Sequence, residues 1–226
     1  MKLPYVIAAP EYTHVSNGIK VLYKLRDLLE KKGYIAEIVN KPKLLPANYI
    51  AIYPETISGN SCYANTVVRY VLNTPGLLGG DKIYDKNEII FTFMDRFYPN
   101  APKLAIPTIE DFFKNENLER KDNCYYIGKG AVNKVPMSDI TNGLIQITRQ
   151  YPPTRIELKD LFNKCETFYT YDDTTALIPE AKLCGCKVVV IPGERINEEY
   201  EYLIKNYESE LDNFINITQL AGNKRR

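Results

Sequence analysis

Short apolar runs alternate with amphipathic segments along the first half of the chain. The predicted strands are "LPYVIAA", "YIAEIV", "YIAIYP" and "NEIIFTFM". Between the first two runs, apolar residues at positions 19, 21, 22, 25, 28 and 29 form one helical stripe, and Gly33 ends that helix. The stretch "NTVVRYVLN" is predicted to be a short helix that stops at "TPG". This alternation predicts an α/β fold with a parallel sheet.

A nearly all-polar segment, "FKNENLERKD" at 113–122, interrupts this pattern. After it the pattern restarts with the strands "CYYIGKG", "GLIQIT" and "TFYTY" and the helix "RIELKDLFNKC". We therefore predict two Rossmann-like domains, over residues 1–120 and 121–208. The remaining residues, 209–226, are predicted to form a helix and tail that could pack back on the first domain.

The stretch "YDDTTALIPEAKLCGCKVVVIPG", residues 171–193, follows a strand and predicts a βαβ unit. Its helix would begin near 176–179, because proline is tolerated in a first turn, and would end at Gly185. The β-branched run at 187–191 predicts a strand that is buried on both faces. The loop "DDTT" then lies where a strand ends and a helix begins, and the backbone N–H groups of such a helix end favour an anion.

Composition narrows the possible partners. The chain has 226 residues, of which 45% are hydrophobic and 25% charged, and its net charge is +1. Because the basic residues are spread along the chain, nothing favours nucleic acid as a partner. No apolar run approaches the roughly 18 residues of a membrane span, and the first apolar run is too short for a signal peptide. We therefore expect a cytoplasmic protein without an integral membrane segment.

The five cysteines, at 62, 124, 165, 184 and 186, follow no metal-site spacing. Cys184 and Cys186 flank one glycine, but no second pair or histidine cluster completes a zinc site. We interpret all five as reduced structural thiols and predict no metal site.

The spacing Asp172-x7-Glu180-Ala181, followed by "LCGCKVVV", resembles the nucleotide-sugar segment of GT-B glycosyltransferases. Upstream, "IELKDLFNKCETFYTY" is similar to the helix and strand before that motif, and "IGKGAVNK" is similar to a basic pair, here Lys129 and Lys134. The N-terminal "HVSNGIKVLYKLRDLLEKKGYIAEIV" is similar to the first loop, helix and second strand of these enzymes. "YPETISGN" with "VVRYVLNTPG" is similar to short members of surface-polysaccharide pathways. This chain has Asp where the family usually has its first Glu.

The resemblance implies a shortened GT-B-like fold and a metal-independent hexosyl- or deoxyhexosyltransferase. Such an enzyme moves a sugar from a nucleoside diphosphate sugar to a hydroxyl of a glycan or other acceptor, with no cofactor, in polysaccharide or glycan synthesis. The alternative is a catalytically inactive nucleotide- or glycan-binding module of the same fold. A nicotinamide-dependent oxidoreductase has little support, because "GKGAVN" lacks the third glycine of the dinucleotide fingerprint. The sugar, base, acceptor and oligomeric state stay open.

The resemblance also implies donor-binding roles. Glu180 would accept hydrogen bonds from ribose hydroxyls, and the two lysines would neutralise the leaving diphosphate. For each residue a structural role competes, such as a helix cap or a solvated surface side chain. The predicted donor-binding residues are Lys129, Lys134, Tyr151, Arg155, Asp173, Thr174, Thr175 and Glu180.

Catalytic candidates come from both halves of the chain. His14, the one histidine, lies in the first strand-to-helix loop, where inverting GT-B enzymes often keep a base. Asp95 and Glu11 are rival bases, and Asp172 is a third catalytic candidate as the first acid of the motif. The acid spacing favours retention of configuration, whereas a base at His14 favours inversion. Asn17 and Gly18, with Glu11, are the acceptor-side or cleft candidates.

Overall fold

The computed structural model describes residues 2–41, 48–192 and 199–225, without the side chains of 199–204. The chain divides into two units: unit 1 comprises Met1–Thr108 with Glu201–Arg226, and unit 2 comprises Ile109–Tyr200. The division falls at 108/109 rather than at 120/121. The polar segment belongs with unit 2 because Phe113 is buried in the core of that unit. Residues 193–198 and 226 of the predicted domains lie outside the described residues.

Strands and helices alternate only in part. The elements in chain order are β1 (Tyr5–Ala8), α1 (Asn17–Lys31), β2 (Ala36–Val39), β3 (Ile50–Pro54), β4 (Thr66–Val71), β5 (Ile89–Thr92), β6 (Asp122–Tyr126), β7 (Ile145–Ile147), α2 (Arg155–Lys164), β8 (Cys165–Thr170), α3 (Leu177–Leu183), β9 (Lys187–Val190) and α4 (Glu199–Lys224). Between β6 and β7 the chain forms two short 3-10 turns, Gly128–Gly130 and Asp139–Thr141.

Unit 1 contains a five-stranded parallel sheet in the order β2-β1-β3-β4-β5. The predicted apolar stripe of α1 packs on one face, and Gly33 ends the helix region with a φ of +78°. The last helix, α4, joins the same core. The core residues on this face include Tyr5, Ile7, Leu22, Leu25, Leu29, Ile52, Val68, Phe91, Leu211 and Phe214.

The stretch "NTVVRYVLN", predicted as a helix, forms the strand β4 instead. All six residues of β4 are buried, and the strand pairs with β3 on one side and β5 on the other. Its β-branched and aromatic residues suit a central strand whose two faces are both covered, so strand pairing overrides the helical pattern. This prediction was wrong because a short, mostly apolar run does not distinguish the two periods.

A loop, rather than a helix, covers the second face of the sheet in unit 1. A separate apolar cluster lies there and includes Val6, Ala8, Tyr53, Cys62 and Val67. The backbone N–H of Cys62 donates to the Tyr53 hydroxyl at 2.8 Å, which ties the loop after β3 to the sheet. Tertiary bonds of this kind hold a segment that has no regular structure of its own.

Unit 2 contains a four-stranded parallel sheet in the order β7-β6-β8-β9. Helix α2 begins at a capping box, because Thr154 accepts from the N–H of Glu157 and the Glu157 carboxylate accepts from the N–H of Thr154 at 3.0 Å. Its core includes Phe113, Cys124, Leu158, Phe162, Phe168, Ile178 and Ala181. An α/β fold with parallel sheets is thus confirmed in both units.

The strand expected to be buried on both faces is an edge strand. Among the described strands, β9 pairs only with β8; Lys187 is exposed, and the three valines that follow are half-buried. The helix before β9 agrees with the prediction. Helix α3 begins at Leu177, within the predicted range 176–179, and Gly185 follows it with a φ of +89°. All five cysteines are free and buried. No described helix is both long and apolar enough to cross a bilayer.

Candidate functional site

The carboxyl ends of β6 and β8 lie side by side in unit 2, at the point where the strand order reverses. The chain leaves β6 toward β7 on one side, whereas β8 is followed by β9 on the other. In open parallel sheets, the ends of two such strands leave a crevice in which ligands bind. The residues at this point are Gly128, Lys129 and Gly130 after β6, and Tyr171 to Thr175 after β8.

Asp172 is the most buried acid of this crevice, with 4% of its surface exposed. Its Oδ2 accepts the backbone N–H of Lys129 at 3.0 Å. Its Oδ1 accepts both the N–H of Thr174, at 3.0 Å, and the hydroxyl of Thr174, at 2.7 Å. One carboxylate therefore joins the two loops that follow β6 and β8.

Lys129 returns to the same threonine through its side chain. Its Nζ donates to Thr174 Oγ1 at 2.9 Å, so the ammonium group lies against the loop after β8. Thr175 belongs to the same turn, because its N–H donates to the backbone carbonyl of Asp172 at 3.4 Å. The structure thus brings three predicted site residues, Lys129, Asp172 and Thr174, into direct contact.

Two glycines allow the loops to approach so closely. Gly128 has a φ of +49°, and a Cβ at this position would lie 2.6 Å from Asp172 Oδ2 and would overlap the ring of Tyr126. A Cβ on Gly130 would lie 2.5 Å from the Cβ of Tyr171. Glycine is therefore required at both positions for a steric reason. "GKG" is in this respect a close-packing motif.

Arg155 and Glu180 form a second polar group. The Arg155 guanidinium donates to Glu180 Oε1, whose side chain is 1% exposed, and to Glu110 Oε2 at 2.8 Å. The guanidinium also stacks on the Phe113 ring, 4.7 Å from its centroid. Burial lowers the pKa of Arg155, but the attraction of Glu180 and the bonds to both acids outweigh it, so the pKa lies above its usual value.

Two tyrosines surround the crevice. The Tyr171 hydroxyl accepts the N–H of Ser138 at 2.9 Å and pairs with Thr141 Oγ1 at 2.8 Å, which anchors the segment between β6 and β7. Burial, and secondarily the negative charge of Asp172, raise the pKa of Tyr126. Both side chains support the loops.

The other donor-site candidates are more exposed. Lys134 is exposed and has a φ of +55°, and Tyr151 is exposed with its N–H donating to Thr148 Oγ1 at 3.0 Å. Asp173 is half-buried. The N–H groups of Thr174 and Thr175, which we expected to hold a diphosphate, both bond to Asp172.

The candidates of unit 1 lie on separate elements. His14 and Glu11 are exposed in the loop between β1 and α1. Asp95 follows β5 and pairs with Lys103 at 2.8 Å, and two strands separate β5 from β1. Asn17 accepts from the Thr108 hydroxyl. At Gly18 an added Cβ would make an ordinary 3.7 Å contact with Leu72, so no steric need for glycine exists there.

Sequence reasoning missed Glu110, Tyr171 and the role of the glycines. Glu110 meets Arg155 across 45 residues of chain, and no local pattern signals such a pair. The glycine spacing in "GKG" was a usable signal, since glycines directly after a strand indicate close backbone approach. No group of three or more His, Cys, Asp or Glu residues suited to a metal ion occurs within the described ranges.

Comparison with known proteins gives no match: no family model, no curated protein and no solved structure is significantly similar to the chain. Functional inference therefore rests on the residues of the crevice.

Proposed function

We propose that the chain is a glycosyltransferase whose unit 2 binds a nucleoside diphosphate sugar. In this proposal the sugar passes to a hydroxyl of a glycan or other acceptor without the help of a metal ion. The observation that carries the proposal is the contact of Lys129 with Thr174 at the reversal of strand order in unit 2. A cation in this crevice suits a ligand with a negative charge.

The chemistry of the proposed donor site follows from two groups. Breakage of the glycosidic bond leaves negative charge on the diphosphate, and the Lys129 ammonium would stabilise that charge as it develops. Glu180 would accept a ribose hydroxyl through a carboxylate that Arg155 already orients. An arginine held by two acids keeps its position when a ligand arrives, because both bonds are charge-assisted.

In unit 1, His14 is the candidate base. An inverting transfer needs a group that takes the acceptor proton, and imidazole suits this task near neutral pH. His14→Ala should then reduce transfer by roughly 10²–10⁴-fold while donor binding survives. A retaining enzyme would keep most of its activity in this variant, so the anomer of the product is determined in the same assay.

The donor proposal is tested by a thermal-shift and calorimetric screen of nucleotide sugars. A ligand that binds only the folded state raises the unfolding temperature by mass action. Lys129→Ala should weaken the best ligand roughly tenfold or more. The matched control is Lys121→Ala, because Lys121 precedes β6 at the other end of the same strand and pairs with the exposed Glu119. Equal affinities in both variants would overturn the assignment.

A second candidate is a catalytically inactive module that binds nucleotide or glycan. It is favoured by the engagement of both acids of the motif within the protein, Asp172 with the two loops and Glu180 with Arg155. Donor binding without transfer or hydrolysis, across a panel of acceptors, would support the module over the enzyme.

A further inference from the structure

We propose that Asp172 is a positioning residue, which fixes Lys129 toward a phosphate-bearing ligand and does not itself contact that ligand. The inference rests on the proposed function, since the ligand is the diphosphate of a nucleotide sugar. It differs from the expectation that the first acid of the motif takes part in the chemistry. Its basis is the way in which the carboxylate is used by the protein.

Both oxygens of the Asp172 carboxylate are engaged by neighbouring loops. Oδ2 holds the backbone of Lys129, and Oδ1 holds the backbone and hydroxyl of Thr174. Three donors within 3.0 Å account for most of the acceptor capacity that a buried carboxylate can present. With 4% of its surface exposed, Asp172 has little area left for a ligand.

The carboxylate also decides how Lys129 is oriented. The Thr174 hydroxyl donates to Asp172 Oδ1 at 2.7 Å, so its proton points to the carboxylate. The lone pairs of that hydroxyl are then available to the Lys129 ammonium, which donates to it at 2.9 Å. An ammonium group has three donors, and the bond to Thr174 leaves two for the oxygens of a phosphate. Asp172 thus acts on the ligand through Thr174 and Lys129.

The backbone around Gly128 shows that this arrangement is specific. The loop can reach Asp172 only with glycine at this position, because a Cβ would lie 2.6 Å from the carboxylate oxygen. The loop therefore passes directly over Asp172, and the N–H of the next residue, Lys129, meets the carboxylate at 3.0 Å. Asp172 therefore holds the backbone of Lys129 directly and its side chain through Thr174.

A double-mutant cycle with inorganic pyrophosphate as the probe tests the proposal. Asp172→Asn should weaken pyrophosphate binding roughly tenfold, because the amide NH2 replaces one of the two acceptor oxygens and cannot accept from the loop that it faces. In a Lys129→Ala background the same change should have almost no effect. Independent, additive losses would show that Asp172 acts on the ligand directly and would overturn the proposal.

A second readout needs no ligand. Acylation of Lys129 by acetic anhydride, measured by mass spectrometry relative to Lys121 in the same sample, should be several-fold faster in Asp172→Asn than in the parent. An unchanged ratio would overturn the positioning role. If the parent protein does not bind pyrophosphate or nucleotide sugars, the proposed function fails while this ratio still decides the role of Asp172. If Asp172→Asn does not fold, Thr174→Val removes the same hydroxyl contact and should raise the same ratio.

Discussion

Units 1 and 2 share one strand order but use buried charge differently. In both sheets the first strand lies between the second and the third, followed by the fourth. In unit 1 the fully buried Arg69, in the middle of β4, bonds to Glu88 and to loop carbonyls. In unit 2 the acids Asp172 and Glu180 are buried. Asp172 follows the end of β8, and Glu180 lies within the next helix, α3.

The difference separates a charge in the middle of a strand, which holds a loop, from acids that lie beyond the end of a strand. Arg69 lies at the centre of a covered sheet face, between the rings of Tyr53 and Tyr84 at 5.3 and 5.0 Å. Arg69 holds the loop after β3 against this face of the sheet, which a helix usually covers in such folds. The acids of unit 2 lie where an open parallel sheet receives ligands. Burial of a charge alone therefore does not indicate a functional site.

The largest effect is expected at Arg69. Its Nε and Nη2 bond to the two oxygens of Glu88 at 2.8 and 2.9 Å, and Nη2 also bonds to Gly59 at 3.0 Å. Arg69→Met should lower the free energy of unfolding by about 3–5 kcal/mol, because it leaves the nearly buried Glu88 without its partner. Urea denaturation measures this change.

Two further variants sharpen this prediction. Arg69→Met combined with Glu88→Met should recover part of the loss, because no unpaired charge is left buried. Asp212→Asn breaks the exposed pair with Lys32 and should leave the urea midpoint nearly unchanged, because solvent screens such a pair. A loss of less than about 1 kcal/mol in Arg69→Met would contradict the view that Arg69 holds the loop.

Alkaline pH should separate the two units. Burial, only partly offset by the bond to Thr218, raises the pKa of Tyr5 in unit 1 to about 12 from 10.0. Burial and the charge of Glu180 raise the pKa of Cys184 in unit 2 to about 11 from 9.0. A raised pKa favours the neutral form in the folded state, so this stability is complete below the unfolded pKa and is lost as pH rises through the folded one. Unit 2 should therefore weaken from about pH 9, and unit 1 from about pH 10.

Hydrogen exchange, read peptide by peptide between pH 8 and about 12, measures this order. The contribution of Tyr5 is about 2–3 kcal/mol, given roughly 1.4 kcal/mol for each pKa unit. Tyr5→Phe should remove this part of the alkaline loss in unit 1, whereas the exposed Tyr63→Phe should leave it unchanged. Simultaneous loosening of both units from pH 9 would count against the separate assignment.

The sequence predicts the fold where one local pattern agrees with the tertiary structure. Periodicity and glycine positions predict the apolar stripe of α1, the two ends of α3 and the strands β1, β3 and β8. Prediction from the sequence fails at β4, whose run is mostly apolar and suits either period, and at β9, whose place at the edge of the sheet cannot be read from composition. The first failure concerns the type of element and the second its place in the sheet, and both outcomes depend on pairing between distant segments.

The candidate site shows the same limit. Lys129 and Thr174 lie in the loops after β6 and β8, two strands that the sequence pattern predicts. The three bonds of Asp172 and the contact of Arg155 with Glu180 were not predictable, since they depend on the path of two loops and on a pairing 25 residues apart. Sequence therefore predicts where a crevice lies, whereas the structure determines which of its side chains are already engaged.

The smallest effect is expected from the two acids that hold Arg155. Arg155 binds one buried acid and one partly solvated acid, because Glu180 is 1% exposed and Glu110 is 28% exposed. Glu180→Ala should lower stability by about 1–3 kcal/mol, because Arg155 loses its desolvated partner, while Glu110→Ala should cost about 1 kcal/mol or less. If Glu180 also accepts a ribose hydroxyl, its loss should weaken nucleotide-sugar binding well beyond the effect of Glu110→Ala in calorimetry at equal fraction folded. Equal affinities in the two variants would show that Glu180 serves only as a structural partner of Arg155. Unit 2 would then resemble unit 1, where buried charge serves the fold.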